Sequence, residues 1–442
     1  MIDSILFKSI DFLGPYGVRN GDVLVERGKI KQVGWDLPVH AEVVVSEPGL
    51  ILMPGVIDPH VHFRTPGLEW KETIETGSRA AAAGGVTSFF DMPNTHPPAT
   101  TQAAIAHKKE IAAATSLIHY NFFIAATADN VGECLAVENV PGIKLFMGST
   151  TGQLLLDSYE AQEQLFATGN RLIAVHAEDQ SVVDAMTAAI PDPTAHDHPR
   201  IRSVEAALKA TKRVVALAKR YHRRAHICHL TTQEEASWLA KSATPGLVST
   251  EVSPQHLFLW APDVYDKWGT WAKINPPIRD KRHADALWRA LKSGVIACVG
   301  TDHAPHTQDE KSHPYPEAHA GMPGVETSLP LFLHAVNQNR CQLSDVCRWL
   351  CQGPAETFGV VGKGRIEEGF DADLVLIDLK AKRVLRHRQM HTQCGWTPFD
   401  GVSVTGAPIA TYVSGQLVYR EGDFFDAYKG QEVRLSPPWE MV

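Results

Sequence analysis

No apolar run in this 442-residue chain approaches the length that crosses a bilayer, and the opening MIDSILFKSIDFLG lacks the basic-then-apolar layout of a signal peptide. A cytoplasmic protein with no membrane partner is expected. Basic charge is not in excess: 42 Lys and Arg against 50 Asp and Glu leave a formal charge of −8. Nucleic-acid binders ordinarily carry a basic field, so nucleic acid is not an expected partner. No GxGxxG or Walker-type glycine loop occurs, and neither a dinucleotide nor ATP is indicated. The seven cysteines are an odd, scattered set without a CxxC pair. They read as thiols in a reducing compartment, not as a disulfide framework.

The composition is that of a globular protein, with 44% hydrophobic and 21% charged residues. Short β-like pieces fill the first fifty residues and return near the end in GFDADLVLIDL and APIATYVSGQLVYREGDF. Residues 1–53 and 360–442 are therefore expected to build one small composite β-sandwich domain. Between them, residues 54–359 alternate apolar runs with alanine-rich, helix-like segments. The runs are PGVIDPHVHF, GGVTSFFDM, HYNFFIAAT, GIKLFMG, RLIAVHAED, RAHICHLT, GLVSTEV and GVIACVGTDH. Eight apolar strands alternating with helices predict an α/β fold of the (β/α)8 TIM-barrel type, with a doubly wound open sheet as the runner-up.

In such a barrel, chemistry sits at the carboxyl ends of the strands. Histidine is abundant, at 21 residues, and several fall at those ends. Strand one ends in His60, His62 and Arg64, strand two in Asp91 and Asn94. Strand four holds Lys144, strand five ends in His176, strand six in His229, and strand eight in Asp302, His303 and His306. Residues two apart on a strand share a face, so His60 and His62 can aim at one metal ion. His226 and His229 are three apart, and only one can face the mouth; His229 is nearer the strand end. A lone histidine or an isolated HxH is more often structural, but four histidines and Asp302 on four strands converge only in the barrel mouth. They could serve one crowded ion or two neighbours.

Two ions need a bridging anion, which raises the question of Lys144 inside the apolar GIKLFMG. On its own it reads as a stem on apolar surface with its ammonium in water. Alternatively its neutral amine, favoured by burial, adds carbon dioxide to become a carbamate (N6-carboxylysine) able to span two cations. Two metals would make a bridging hydroxide available at neutral pH, with Asp302 as general base and acid.

The phrases GVIDPHVHFRTPG, GGVTSFFDMPNTHPP, GIKLFMG, VHAED, HICHLTT, KINPPIR, TDHAPHT, GMPGVET, GPAETFG, GFDADLVLID and CGWTPFDG run in order through nearly the whole chain. On them the sequence resembles the amidohydrolase superfamily, and within it the lysine-bearing branch of the dihydroorotases. The resemblance implies two zinc ions, one on His60, His62 and Asp302 and one on His176 and His229, bridged by carbamylated Lys144. It further implies that Arg64, Asn94 and His306 bind a substrate carboxylate, and that Asn275 and the backbone around Gly324 hold ring amides. The implied activity is reversible closure of N-carbamoyl-L-aspartate to L-dihydroorotate with loss of water, in pyrimidine biosynthesis. A homo-oligomer is expected, and association with aspartate transcarbamoylase is left open.

Two positions depart from the family pattern: Gln255 stands where many relatives have a histidine, and residues 99–101 read ATT. The alternatives are a related cyclic amidase (hydantoinase, dihydropyrimidinase or allantoinase) or an inactive homologue that scaffolds the transcarbamoylase. Hydantoinase-like sequences place a tyrosine shortly after the lysine and lack the arginine of HFR; here Gly148, Ser149 and Thr150 follow Met147. The polar segment 307–321 is read as a mobile lid.

Overall fold

The computed structural model describes residues 2–150, 154–242, 244 and 246–437. Thr151, Gly152 and Gln153, just past GIKLFMGST, lie outside the described residues. All eight expected strand regions form strands. In order they are Val56–Val61, Val86–Asp91, His119–Phe122 continuing as Ile124–Ala125, Ile143–Phe146, Ile173–His176, Ala225–Ile227, Val248–Val252 and Cys298–Val299. Each pairs with the next in parallel. The third strand breaks at Phe123, so its first half pairs with strand two and its second half with strand four. The ring closes where His62 N–H donates to His303 O at 2.8 Å and Val61 bridges His303.

The strands are buried on both faces, because helices cover the outside and side chains fill the inside. The helix Val204–Tyr221 shows the local logic. Ser203 caps it by accepting from Ala206 N, small and branched residues such as Ala207, Ala210, Val214 and Ala218 form the buried stripe, and lysines and arginines face out. In RAAAAGG the helix Ile74–Ala83 ends at Gly84. A Cβ at Gly84 would lie 2.6 Å from Val325 O, so no larger residue fits there. The unusual ATT at 99–101 has a plain use, since Thr101 Oγ caps the helix Gln102–Thr115.

Both chain ends meet in one sheet of nine strands. Ile51–Pro54 pairs antiparallel with Leu374–Val384, joining the early strands to Ser403–Val413, Gln416–Arg420 and Asp423–Phe424. Instead of two separately paired sheets, one continuous sheet folds over on itself. Phe7 in Ser4–Gly14 meets Tyr412 at a ring separation of 5.2 Å although two strands lie between theirs in the sheet order. Two later stretches leave this sheet for the barrel. Gln393 N–H donates to Glu72 (3.1 Å) and Trp396 Nε1 to His306 O (2.9 Å) near the mouth. At the third strand, Gly430 N–H donates to Ser116 O (2.9 Å) and Val433 N–H to Tyr120 O (2.9 Å).

All seven cysteines are free and buried. Among the described residues no helix is long and apolar enough to cross a membrane.

Candidate functional site

The strand ends bring six of the expected side chains around one cavity: His60, His62, Lys144, His176, His229 and Asp302. His62 Nε2 lies 3.0 Å and His60 Nε2 3.3 Å from Asp302 Oδ1. His176 Nδ1 faces His229 Nε2 at 3.1 Å. The His60 ring is 5.4 Å from each of those of His62 and His229, so the two groups adjoin.

Left-handed backbone aims three of the side chains lining this cavity. Arg64, His229 and Asp302 have φ of +62°, +35° and +48°, a conformation that costs a non-glycine residue about 1 kcal/mol or more. His229 shows why it matters. Strand alternation assigns His226 and His229 to opposite faces, yet both turn toward the barrel interior. His226 does so within the strand, in register with Ala174. The positive φ at His229 then swings the later ring into the mouth.

Electrostatics keep most of these imidazoles neutral. Burial pushes His62 down to about 4, against the pull of Asp302. Burial likewise lowers His176 and His229. Asp302 stays ionised: burial alone would raise it, but His60 and the hydrogen bond from His62 hold it below the usual carboxylate range. His60 differs. Burial and Lys144 push it down, but Glu251 and Asp302 raise it to about 10.

This donor set fits divalent metal. The ligand atoms of His60, His62 and Asp302 lie within 4.8 Å of one another, and neutral imidazole with carboxylate is a common zinc donor set. His229 Nδ1 is buried with no hydrogen-bond partner. Lys144 is fully buried, donates to Cys228 Sγ at 3.1 Å, and among the described residues has no carboxylate within ion-pair reach. A buried lysine without an anionic partner is rare and costly.

The other sequence candidates divide. Arg64, Asn94 and Asn275 line the cavity with the six. Arg64 is 2% exposed, donates to Pro305 O (3.0 Å), and is lowered by burial only to about 10, so it is a cation at neutral pH. Asn94 Oδ1 accepts from His62 Nδ1 at 2.6 Å. His306 and Gly324 are not in the wall but one layer behind it. His306 sits between Arg64 and Lys71, 3.1 Å from each. Gly324 N–H donates to His303 Nδ1 (3.0 Å), and its missing side chain leaves room for Gln255, whose Nε2 bonds Thr301 O. Segment 307–321 covers the site, with Ala320 and Gly321 in the wall. It is tied down by Lys311 Nζ, which donates to Lys273 O and His319 O.

Several supporting residues escaped the sequence reading. Glu178 Oε2 lies 3.0 Å from His176 Nε2 and pairs with Arg202. Glu251 lies 2.5 Å from His60 Nδ1. Their one signal was a carboxylate inside an apolar strand or two residues after a ligand-type histidine. His198 donates from Nε2 to Ile274 O at 2.9 Å and lies 3.1 Å from Asn275 Oδ1.

A pH prediction follows from the buried neutral imidazoles. Burial lowers His198 to about 3 and His256 to about 4. Their folded values lie below the unfolded 6.5, so their stabilising contribution is full above about pH 6.5 and is lost as pH falls toward 4 and 3. At pH 5 each would cost about 2 kcal/mol. The urea midpoint is expected to fall between pH 7 and pH 5, and His198→Gln to flatten that fall. An unchanged slope in the variant counts against the assignment.

The chain belongs to the amidohydrolase family, whose sequence profile matches residues 51–418. The barrel and its mouth are those of a metal-dependent cyclic-amide hydrolase. More particularly, the chain is similar to dihydroorotases. That of Methanosarcina acetivorans is 34% identical over 429 residues, 94% of this chain and 91% of that one. That of Halobacterium salinarum is 38% identical over 386 residues, 87% and 89% of the two chains. Among solved structures it is similar to the L-hydantoinase (dihydropyrimidinase) of Arthrobacter aurescens, with a TM-score of 0.91 at 28% identity over 98% of this chain and 100% of that one.

Proposed function

We propose that this chain is a dihydroorotase that interconverts L-dihydroorotate and N-carbamoyl-L-aspartate in pyrimidine biosynthesis. The observation that carries the reading is Arg64: a buried guanidinium in the wall of the same cavity as the six ligand-type side chains. A ring amide bearing a carboxylate needs both, because a guanidinium offers paired donors matched to that carboxylate. The hydantoinase reading is favoured by the fold similarity. Against it stand Arg64 and the absence of a tyrosine at residues 148–150, where Thr150 lines the cavity.

In this reading His60, His62 and Asp302 would hold one zinc ion and His176 and His229 a second, and Lys144 as N6-carboxylysine would supply a further carboxylate ligand. When bound, the ions acidify water and polarise the ring carbonyl. Arg64 and Asn94 receive the substrate carboxylate, with His306 behind Arg64. Asn275 and the backbone around Gly324 hold the ring amides. Asp302 accepts the proton of the water that attacks the carbonyl carbon. It returns that proton to the ring nitrogen as the C–N bond opens, and cyclisation reverses the transfer.

The same reading takes residues 54–359 as the hydrolytic unit and residues 1–53 with 360–442 as the composite β domain, of which Gln393, Trp396, Gly430 and Val433 bond to the barrel. A cytoplasmic setting is supported by the seven free thiols. Self-association and association with an aspartate transcarbamoylase belong to the same reading and are tested by sizing the chain alone and mixed with that enzyme.

The test is a substrate panel. Hydrolysis of dihydroorotate, with little of dihydrouracil or hydantoin, is expected; the opposite ranking overturns the reading. Arg64→Lys is expected to lower kcat/KM for dihydroorotate about 10- to 100-fold, chiefly through KM, by removing a paired donor. An unchanged KM would place the carboxylate elsewhere.

A further inference from the structure

We propose that Glu251 is a positioning residue for the metal centre: it fixes the His60 ring so that Nε2 faces the cavity, and is itself held from below by His226. This rests on His60 acting as a ligand, as in the proposed function.

Glu251 lies in the seventh barrel strand, 2% of its side chain exposed, beneath the mouth. Both carboxylate oxygens face a histidine ring. Oε1 is 2.5 Å from His60 Nδ1 and accepts from the His229 backbone N–H at 3.3 Å. Oε2 is 3.2 Å from His226 Nε2, a close approach without hydrogen-bond alignment, and His226 Nδ1 is 2.9 Å from Ser249 Oγ. A column of side chains thus runs from His60 through Glu251 and His226 to Ser249, spanning strands one, six and seven.

The barrel makes room for this column. A Cβ at Gly300, just after the eighth strand, would lie 2.7 Å from Glu251 Oε2 and 3.0 Å from His60 Cβ. Phe358 packs against the His226 ring, 5.0 Å between centroids. With Nδ1–H donated to a carboxylate, an imidazole turns Nε2 outward, where a metal ion binds by displacing any proton it carries, and the ring cannot rotate without breaking the bond to the carboxylate. In His60 that nitrogen is the one 3.3 Å from Asp302. His62 is held the same way by a neutral acceptor, Asn94 Oδ1.

The experiment loads the protein with cobalt(II) and follows its visible spectrum during titration with a chelator. Glu251→Ala is expected to release cobalt at about 10- to 100-fold lower chelator concentration than wild type, with an altered spectrum. Glu251→Gln, which keeps an acceptor oxygen, is expected to fall between. Should Glu251→Ala fail to fold, His226→Gln, which removes only the lower support, is expected to weaken cobalt retention several-fold. Spectra and release midpoints within twofold of wild type in the folded variants overturn the proposal. A wild-type chain that takes up no cobalt overturns it together with the ligand assignment. A chain that binds cobalt but ignores dihydroorotate overturns only the substrate, and the Glu251 comparison still decides.

Discussion

Asp302→Asn is expected to lower kcat for dihydroorotate hydrolysis about a thousandfold or more, in both directions of the reaction, with the fold retained. The side chain has three uses in one place. It lies against the Nε2 atoms of both His60 and His62, it is held ionised, and its backbone is in the left-handed region, so the carboxylate cannot easily be supplied from elsewhere. Asparagine preserves shape but removes the charge that a metal ion would meet and the basicity that a proton transfer requires. Initial rates with each substrate, beside circular dichroism and metal content, check this. A variant within tenfold of wild type would remove Asp302 from the proton-transfer role.

Lys144→Ala is expected to lose both the second metal equivalent and activity, by about a hundredfold or more. Its neighbours in register on the adjoining strands are Ala125 and Ala174, small residues that leave space around the lysine stem. Metal analysis and turnover of the variant are the direct measurements. A companion experiment strips metal and carbon dioxide from wild type and restores metal with and without bicarbonate. Restoration only with bicarbonate is expected of wild type, and no response of the variant. Full activity with two metals in Lys144→Ala would refute a bridging role.

The barrel was legible because its eight strands fall within mainly apolar runs, which separates them from the helix-like segments between. The histidines and Asp302 were legible because they stand at strand ends, where a polar side chain has no reason to be in a packed core. Less could be read where backbone departs from regular alternation, as at His229. The layering of Arg64, His306 and Gly324 was hidden for a related reason. Distance from the cavity by one residue thickness leaves no trace in a linear motif. Glu251 was missed because a single carboxylate in GLVSTEV reads alike whether it faces a histidine or an arginine. The folded-over sheet also needed coordinates, since pairing partners 320 or so residues apart share no local pattern.

That sheet has a consequence during synthesis. Ile51–Pro54 leaves the ribosome early, but the strand that completes its antiparallel edge, Leu374–Val384, follows only after the whole barrel. At about 5–20 residues per second the wait is on the order of tens of seconds. Through that interval, while the barrel is being made, the nascent chain carries an unpaired apolar edge, and such edges invite pairing with other chains. The barrel is thus an insertion within a sheet, and that sheet is complete only when the late strands return to an edge laid down first.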